Sequence, residues 1–277
     1  MIHLTISIVL YNNNREVLRE AINSALNSNI NYKFKFYLVD NSPTDSLRTL
    51  VLDENVEYIH NPSNPGFGAA HNIAIHKAIS LESKFHLVLN PDVYFNKEVI
   101  AELISYLESN PDIGNIMPKV LYPDGSLQYL CKLLPRPYDW IGRRFNPFKK
   151  LVDKSNRIFE LRFTNYDKIM EVPYLSGCFM LLRLDALKNV GVFDENIFMY
   201  GEETDLCRRL ISGGYSTVFY PKTIIYHHFA KGSHRNLKLT IIGMKSAIYY
   251  FNKWGWFFDK ERKQINKDIL LKLKFKN

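Results

Sequence analysis

Between residues 4 and 108, short apolar runs alternate with stretches of helical periodicity, and this rhythm limits the chain to few folds. Leu4–Leu10 is apolar and β-branched. Arg15–Leu26 then places Val17, Leu18, Ala21, Ile22, Ala25 and Leu26 at helical spacing. Phe34–Val39 and Val56–His60 read as two further strands, Gly66–Ile79 as a glycine-opened, alanine-rich helix, Phe85–Leu89 as a buried strand and Glu98–Glu108 as a helix. Strands separated by helices need crossover connections, so the pattern predicts an α/β fold with a mostly parallel central sheet flanked by helices. Ligands of such sheets gather at the carboxyl ends of the strands. Three polar clusters fall there: Tyr11-Asn12, Asp40-Asn41 and Asn90-Pro91-Asp92.

Past Asn110-Pro111 the rhythm loosens. Residues 118–150 hold several prolines and glycines, and Lys132 to Lys168 carries ten Lys/Arg against four acids, which predicts a long, basic, mobile excursion. Val172–Leu182 and Thr223–Tyr226 resume the strand pattern. The expected organisation is a body at 1–230, divided into halves 1–95 and 96–230, and a helical tail at 231–277. From Lys231 to Asn277 there are twelve Lys/Arg against Asp259, Glu261 and Asp268, a net of +9, so the +8 of the whole chain belongs to the tail. Those charges alternate with Ile241, Ile242, Met244, Ile248, Tyr249, Tyr250, Trp254, Trp256, Phe257 and Phe258. Lysines among aromatics suit an anionic lipid surface, the competing reading being core packing with a wet basic edge.

The three cysteines, Cys131, Cys178 and Cys207, form neither a disulfide framework nor a Cys-x-x-Cys pair, which points to a reducing cytosol. Leu4 to Tyr11 lacks the flanks of a secretory signal, and no run of about 18 apolar residues is present to span a bilayer. Acids in the crevice argue against a phosphate-tracking groove, so no nucleic-acid partner is expected.

The segment Phe193 to Leu206 sets five carboxylates, Asp194, Glu195, Glu202, Glu203 and Asp205, among Phe193, Ile197, Phe198, Met199, Tyr200 and Leu206. Acids against a partly dry surface can be tuned as bases. Acids in the first turn of a helix also satisfy its dipole, and both readings fit. Asp92, at a strand end, suits a hard divalent cation that takes carboxylate and phosphate oxygens; Asn-Pro-Asp is equally good turn chemistry. Asp40 can meet a nucleobase or ribose, or close an Asx-turn on its own backbone. Gly66-Phe67-Gly68 lacks the third glycine of a dinucleotide fingerprint. His227 and His228 precede Gly232-Ser233-His234, and a neutral imidazole there can ligate a metal. His3, His60, His71, His76 and His86 have no ligand spacing and read as structural.

Taken in order, SIVLYNNN (7–14), LVDNSPTD (38–45), NPGFGAAHN (64–72), LVLNPDV (87–93), MPKVLYPDGSLQ (117–128), LSGCFMLLR (175–183), GVFDENIFMYGEETDLCRRL (191–210) and YHHFAKGS (226–233) resemble a family-2 glycosyltransferase of the GT-A fold. The resemblance is nearest to bacterial rhamnosyltransferases of O-antigen and other surface-polysaccharide assembly. It implies that Leu10, Tyr11, Asp40 and Asn41 line a nucleotide pocket, with Asn64, Gly66, Asn72 and Asn90 beside it. It implies that Asp92, with His227, holds Mg²⁺ or Mn²⁺ on the diphosphate, in a DxD motif whose first acid is Asn90. Ser176 and Gly177 match a sugar and acceptor loop. Glu203 matches the base of an inverting transfer, with Glu202 and Asp205 as alternatives. The implied donor is a nucleotide-diphospho-sugar: deoxythymidine-diphospho-L-rhamnose, or another UDP-, GDP- or dTDP-sugar. The implied acceptor is a lipid-linked oligosaccharide, met from the cytoplasm at the inner face of the membrane. A non-catalytic sugar-nucleotide-binding module is the alternative from another class.

Overall fold

The computed structural model describes residues 2–51, 53–142, 146, 148–228 and 237–275. Its centre is a nine-stranded sheet of order β3-β2-β1-β4-β10-β6-β11-β5, with β8 also paired to β11. The strands are β1 (Leu4–Leu10), β2 (Phe34–Asp40), β3 (Val56–His60), β4 (Phe85–Leu89), β5 (Val93–Phe95), β6 (Ile113–Leu121), β8 (Met170–Glu171), β10 (Phe179–Arg183) and β11 (Ser216–His227). A separate ribbon joins β7 (Cys131–Lys132) to β9 (Tyr174–Leu175). β1, β2, β3, β4, β6 and β11 run one way; β5, β8 and β10 oppose them. The sheet is therefore mostly parallel. One edge of it carries the ends of β1, β2, β4 and β11 together with the starts of β5 and β10.

The helices are α1 (Arg15–Leu26), α2 (Phe67–Ser80), α3 (Val99–Ser109), α4 (Lys149–Phe159), α5 (Leu184–Val190), α6 (Glu202–Ser212), α7 (Leu237–Trp254) and α8 (Lys260–Lys272). α1 shows why these segments coil. Asn14 caps it, its side chain accepting from the amides of Glu16 and Val17 at 2.9 and 3.2 Å. Its buried face is Leu18, Ala21, Ile22 and Ala25, one stripe at i, i+3, i+4, i+7.

Three expectations change. Val172–Leu182 is not one strand: Ser176-Gly177-Cys178 breaks it into β9 and β10. The proline-bearing stretch after 110 contains the interior strand β6, which reads poorly as a strand because Pro118 cannot donate to a ladder. Pro118 is tolerated because β10 pairs β6 only at Asn115 and Ile116, and the β11 register shifts between Tyr220 and Ile224, directly after Pro118's partner. The basic excursion is packed among the described residues: Phe159, Leu161 and Tyr166 enter the core, and the Tyr166 hydroxyl donates to the Glu160 carbonyl at 2.7 Å. Scattered apolar residues between the charges anchor it.

Nor is the tail an appendage. Ala247, Tyr250 and Phe251 of α7 bury against Trp140 and Ile141, and Ile269 of α8 joins the main core. Arg208 of α6, 1% exposed, makes a two-toothed pair with Asp259 at 2.6 and 2.8 Å and reaches Glu261 at 2.7 Å. Asn266 exchanges two hydrogen bonds with the Leu134 backbone, both 2.9 Å.

The core hides a polar chain. Ser7 Oγ lies 2.7 Å from His71 Nδ1 and 2.8 Å from His86 Nε2, and Thr5 Oγ1 lies 2.7 Å from His86 Nδ1. Burial holds His71 well below the ordinary 6.5 and pushes His86 down to about 3. Both are therefore neutral in the fold, while the unfolded chain takes up protons as pH falls through 6.5. Stability is present above that pH and is lost below it, about 1.4 kcal/mol per histidine at pH 5.5. In urea unfolding at pH 7.5 and 5.5, His86→Gln should lose about 1.4 kcal/mol less on acidification than the wild type, the contribution of His227 being common to both. An unchanged pH-dependent loss in the variant would refute the neutral histidine.

Candidate active site

Where β1 stops, Leu10 is buried and Tyr11 is exposed. Asp40 is fully buried. Its Oδ1 accepts from the Ser42 amide at 2.8 Å, an Asx-turn, and its Oδ2 accepts from the Tyr58 hydroxyl. Asn41 Oδ1 accepts from Asn61 at 2.9 Å. Asp40 thus shapes the loop that follows β2, and Tyr11, Asn12 and the β2 loop form its surface. The Asn12 amide donates to Ser42 Oγ at 2.9 Å, which locks the first two clusters together.

Asn64, Gly66 and Asn72 do something the sequence conceals. Asn64 has a left-handed φ of 46°, and Gly66, at φ 109°, opens α2. A Cβ on Gly66 would stand 2.2 Å from the Phe198 carbonyl oxygen, which also accepts from the Phe67 amide at 2.8 Å. Glycine is required there by φ and by that approach. Asn72, 1% exposed, accepts from the Phe193 amide at 3.0 Å and donates to the Phe193 carbonyl and Glu195 Oε1 at 3.0 and 2.9 Å. The start of α2 is the dock for segment 193–198, and Asn72 is its clip rather than an open pocket contact.

Asn90-Pro91-Asp92 connects β4 to β5. The Asn90 amide donates to the Cys178 carbonyl at 2.9 Å. His227, at the end of β11, lies with Nε2 3.3 Å from Asp92 Oδ1. Gln128 grips the same histidine twice, through Nδ1 to Gln128 Oε1 at 3.0 Å and from Gln128 Nε2 to the His227 carbonyl at 2.7 Å. Burial pushes the Asp92 carboxyl up, but His227 more than offsets this and holds it below the usual range. Burial opposes charge on His227, yet Cys178 and Asp92 together raise it to about 10. His228 turns outward to Glu20 at 3.2 Å. Gly232-Ser233-His234 and residues 229–233 of the last matching segment lie outside the described residues.

A hard divalent cation fits this donor set. Asp92 supplies a carboxylate oxygen at the crevice, and His227, its Nδ1–H held by the Gln128 oxygen, would offer Nε2 once a cation displaces the proton that Nε2 shares with Asp92. Among the described residues no group of three or more His, Cys, Asp or Glu could hold a metal. The remaining positions would come from phosphate oxygens and water, as is usual for Mg²⁺.

The acid segment separates into distinct environments. Asp194 accepts from Lys253 at 2.7 Å and from Tyr249 at 3.1 Å; burial raises its carboxyl, and Lys253 and Asn196 bring it down to about 2. Asp205 is a correction: it is not free to act as a base. It is fully buried, accepting from Arg209 at 2.8 Å, from Trp254 at 2.7 Å and from Lys253 at 2.8 Å. Glu202 is 4% exposed, its Oε2 has no partner, and burial with the neighbouring Glu203 charge pushes its carboxyl well up. Both effects favour its protonated form. Glu203 is partly exposed. Its Oε2 accepts from the Gly201 amide at 2.9 Å and its Oε1 from the Tyr174 hydroxyl at 3.2 Å.

The Ser176-Gly177-Cys178 loop joins the two sides. A Cβ on Gly177 would lie 3.5 Å from Glu203 Cβ, while the next residue, Cys178, holds Asn90. Asp92 with His227 and Glu203 therefore stand at opposite ends of one short loop. Gln128, Tyr174 and Trp140 were not assigned roles from sequence. Trp140 packs on Gly201, where a Cβ would sit 2.5 Å from the indole. Gln128 closes a matching segment and carried a signal; Tyr174 and Trp140 carried none, because only the tertiary fold brings them to the acids.

With this geometry in view, comparison with known proteins is direct. The family model described as glycosyl transferase family 2 matches residues 5–191. The chain is 27% identical over 234 residues to an N-acetylglucosaminyl-diphospho-decaprenol L-rhamnosyltransferase of Mycobacterium tuberculosis, covering 79% of this chain and 76% of the relative. It is 27% identical over 168 residues to the rhamnosyltransferase WbbL of Escherichia coli, covering 59% and 61%. It is also 27% identical over 207 residues to the low-salt glycan biosynthesis hexosyltransferase Agl10 of Haloferax volcanii, covering 74% and 61%. Among solved structures, GalNAc-T7 with UDP, GalNAc and Mn²⁺ aligns at a TM-score of 0.61 and 14% identity over 82% of this chain. S. aureus TarS aligns at 0.59 and 16% over 97%. The chain spans 43% of the length of each of these two, and the likeness to them concerns the fold.

Proposed function

The chain belongs to glycosyl transferase family 2 and has the GT-A fold, and from that premise we propose that it transfers L-rhamnose, with inversion, from deoxythymidine-diphospho-rhamnose to a lipid-linked saccharide. The observation that carries this reading is the shared loop: Ser176-Gly177-Cys178 packs on Glu203, a partly exposed carboxylate, at Gly177 and holds the Asn90 end of the Asp92–His227 pair at Cys178. The rhamnosyltransferases among its relatives supply the sugar and the lipid-linked acceptor.

Glu203 takes the proton of the attacking acceptor hydroxyl at Oε1, the more loosely held of its oxygens. The acceptor oxygen forms its bond to the anomeric carbon from the face opposite the diphosphate. The bond between that carbon and the diphosphate oxygen breaks, and the nucleoside diphosphate leaves. Asp92 and His227 would hold Mg²⁺ or Mn²⁺, which when bound neutralises charge on the leaving group. Gln128 orients His227 for that task. Tyr174 and the Gly201 amide fix the carboxylate that moves the proton.

Purified protein with Mn²⁺, nucleotide-sugars and a prenyl-diphospho-N-acetylglucosamine acceptor should transfer rhamnose in preference to other sugars. Transfer of a different hexose would favour the second reading, which the hexosyltransferase relative motivates. Wild-type rates in both Asp92→Ala and Glu203→Gln would overturn the mechanism. Binding of nucleotide-sugar without transfer of any donor would leave a non-catalytic module.

The same reading places the enzyme on an anionic inner-membrane surface. No helix among the described residues is long and apolar enough to cross a membrane. One face of α7, however, exposes Leu237, Ile241, Met244 and Ile248, a continuous stripe at i, i+4, i+7, i+11 beside Lys238 and Lys245. Deleting the tail is a poor test, because its other faces complete the core. Ile241→Ser with Ile248→Ser should lower binding to phosphatidylglycerol vesicles about tenfold or more. Unchanged sedimentation with vesicles would remove the membrane surface from the proposal.

A further inference from the structure

A cavity of about 570 Å³, with none of Glu203, Asp92 and His227 in its lining, lies between the Leu133–Pro137 strip, α4 and α8. Its walls are mostly apolar, with Leu133, Leu134, Ile158, Phe159, Trp256 and Leu270 among them. Phe257 and Leu271, 69% and 66% exposed, stand at its rim. An open apolar hollow with large exposed side chains at its edge is unusual on a protein that meets only water. The charge around it has one sign. Arg136, Lys263 and Lys267 line it, and its one acid, Asp139, is buried and already bound to Arg136 at 2.7 and 2.9 Å. Among the described residues Lys263 and Lys267 have no acidic partner, and they stand one turn apart on α8.

We infer that this cavity seats the first isoprene units of a prenyl-diphosphate lipid, with Lys263 and Lys267 on the diphosphate. The inference rests on the reading that the acceptor is lipid-linked, and it deepens that reading by giving the lipid a place. Apolar walls take the chain, and paired cations at the mouth take phosphate oxygens. Continuity with the site supports this occupant over others. The strip that walls the cavity continues into Trp140, which rests on Gly201, next to Glu202 and Glu203. Arg262, a lining residue with its guanidinium donating to the Trp256 carbonyl at 2.8 Å and the Pro135 carbonyl at 3.3 Å, ties α8 to that strip. A lipid held here therefore shares one wall with the base.

Farnesyl diphosphate is the probe, titrated without divalent cation, so that the diphosphate has no metal to follow, with Trp256 fluorescence and calorimetry as readouts. Binding is expected, and it should weaken at least tenfold in Lys263→Ala/Lys267→Ala and in Phe257→Ser/Leu271→Ser. All four positions are exposed, so the fold is kept, which circular dichroism verifies. Inorganic diphosphate and farnesol should each bind at least tenfold more weakly than the joined molecule. Transfer to a water-soluble acceptor that lacks both the chain and the diphosphate touches none of the four residues and should stay at the wild-type rate in both variants. No farnesyl diphosphate binding, or equal binding by wild type and both variants, overturns the inference. So does loss of vesicle binding in the variants with farnesyl diphosphate affinity unchanged, which would assign the surface to a bilayer. If the wild type transfers no sugar, the functional reading fails, and the binding result still decides this one.

Discussion

Glu203→Gln should lower the turnover of sugar transfer by about 10²- to 10⁴-fold, the range for removal of a general base, with the melting temperature unchanged. Glutamine keeps the shape, its amide oxygen accepting from the Gly201 amide and its NH2 donating to the Tyr174 hydroxyl, so the fold loses little. What it cannot do is take a proton. The neighbouring acids are controls with different expected outcomes. Burial and the Glu203 charge both disfavour the ionised form of Glu202, so Glu202→Gln should leave turnover within a fewfold of wild type. Asp205→Asn breaks the bonds to Arg209 and Lys253, so it should lower stability as well as rate. Rates and thermal melts on the three variants separate these cases. Full activity in Glu203→Gln with loss in Glu202→Gln would move the base to Glu202.

Arg208→Met should cost about 3–5 kcal/mol of folding stability, the cost of removing one partner of a buried ion pair. The two-toothed geometry leaves the Asp259 carboxylate nearly inaccessible, so it cannot turn to water when the guanidinium goes. Arg262, 3.8 Å away, is a weaker partner, committed to backbone carbonyls. Replacing both members, Arg208→Met with Asp259→Leu, should recover part of the loss because no orphaned charge remains, although the Asp259 cap on α8 is lost too. Urea unfolding of the single and double variants checks both numbers. A loss under about 1 kcal/mol in Arg208→Met would mean that the pair is solvated and that α8 does not depend on it. The larger consequence concerns the whole tail. α7 and α8 finish the core around Trp140 and neutralise Arg208 and Asp205, so they are part of the transferase body.

The strands and helices legible in the sequence were those whose determinants are local. Asn14 caps α1 and the i, i+3, i+4 stripe follows it; β1 and β4 are unbroken apolar runs. Elements that contradict local preference were missed. β6 carries Pro118, β8 is two residues long, and α4 sits in a stretch whose charge suggests a loose excursion. The candidate site divides along the same line. Asp92, His227 and Glu203 stand out as chemistry-bearing types in matching segments. The division of labour among Glu202, Glu203 and Asp205 does not, since all three are acids in one helical turn.

By itself, then, the sequence determined the α/β class, the edge of the sheet where polar residues collect and the family, because strand and helix periods and turn residues act over a few positions. Tertiary structure alone decided which acid is partly exposed, which is buried with one oxygen unpartnered and which is ion-paired. It also decided that Asn72 clips a segment, that Gln128 holds a histidine and that the basic tail completes the core. Each of those outcomes depends on desolvation and on partners that stand far apart in the chain: residues 72 and 193, 128 and 227, 208 and 259. A carboxylate's role follows from what surrounds it, and those surroundings exist only once the chain has folded.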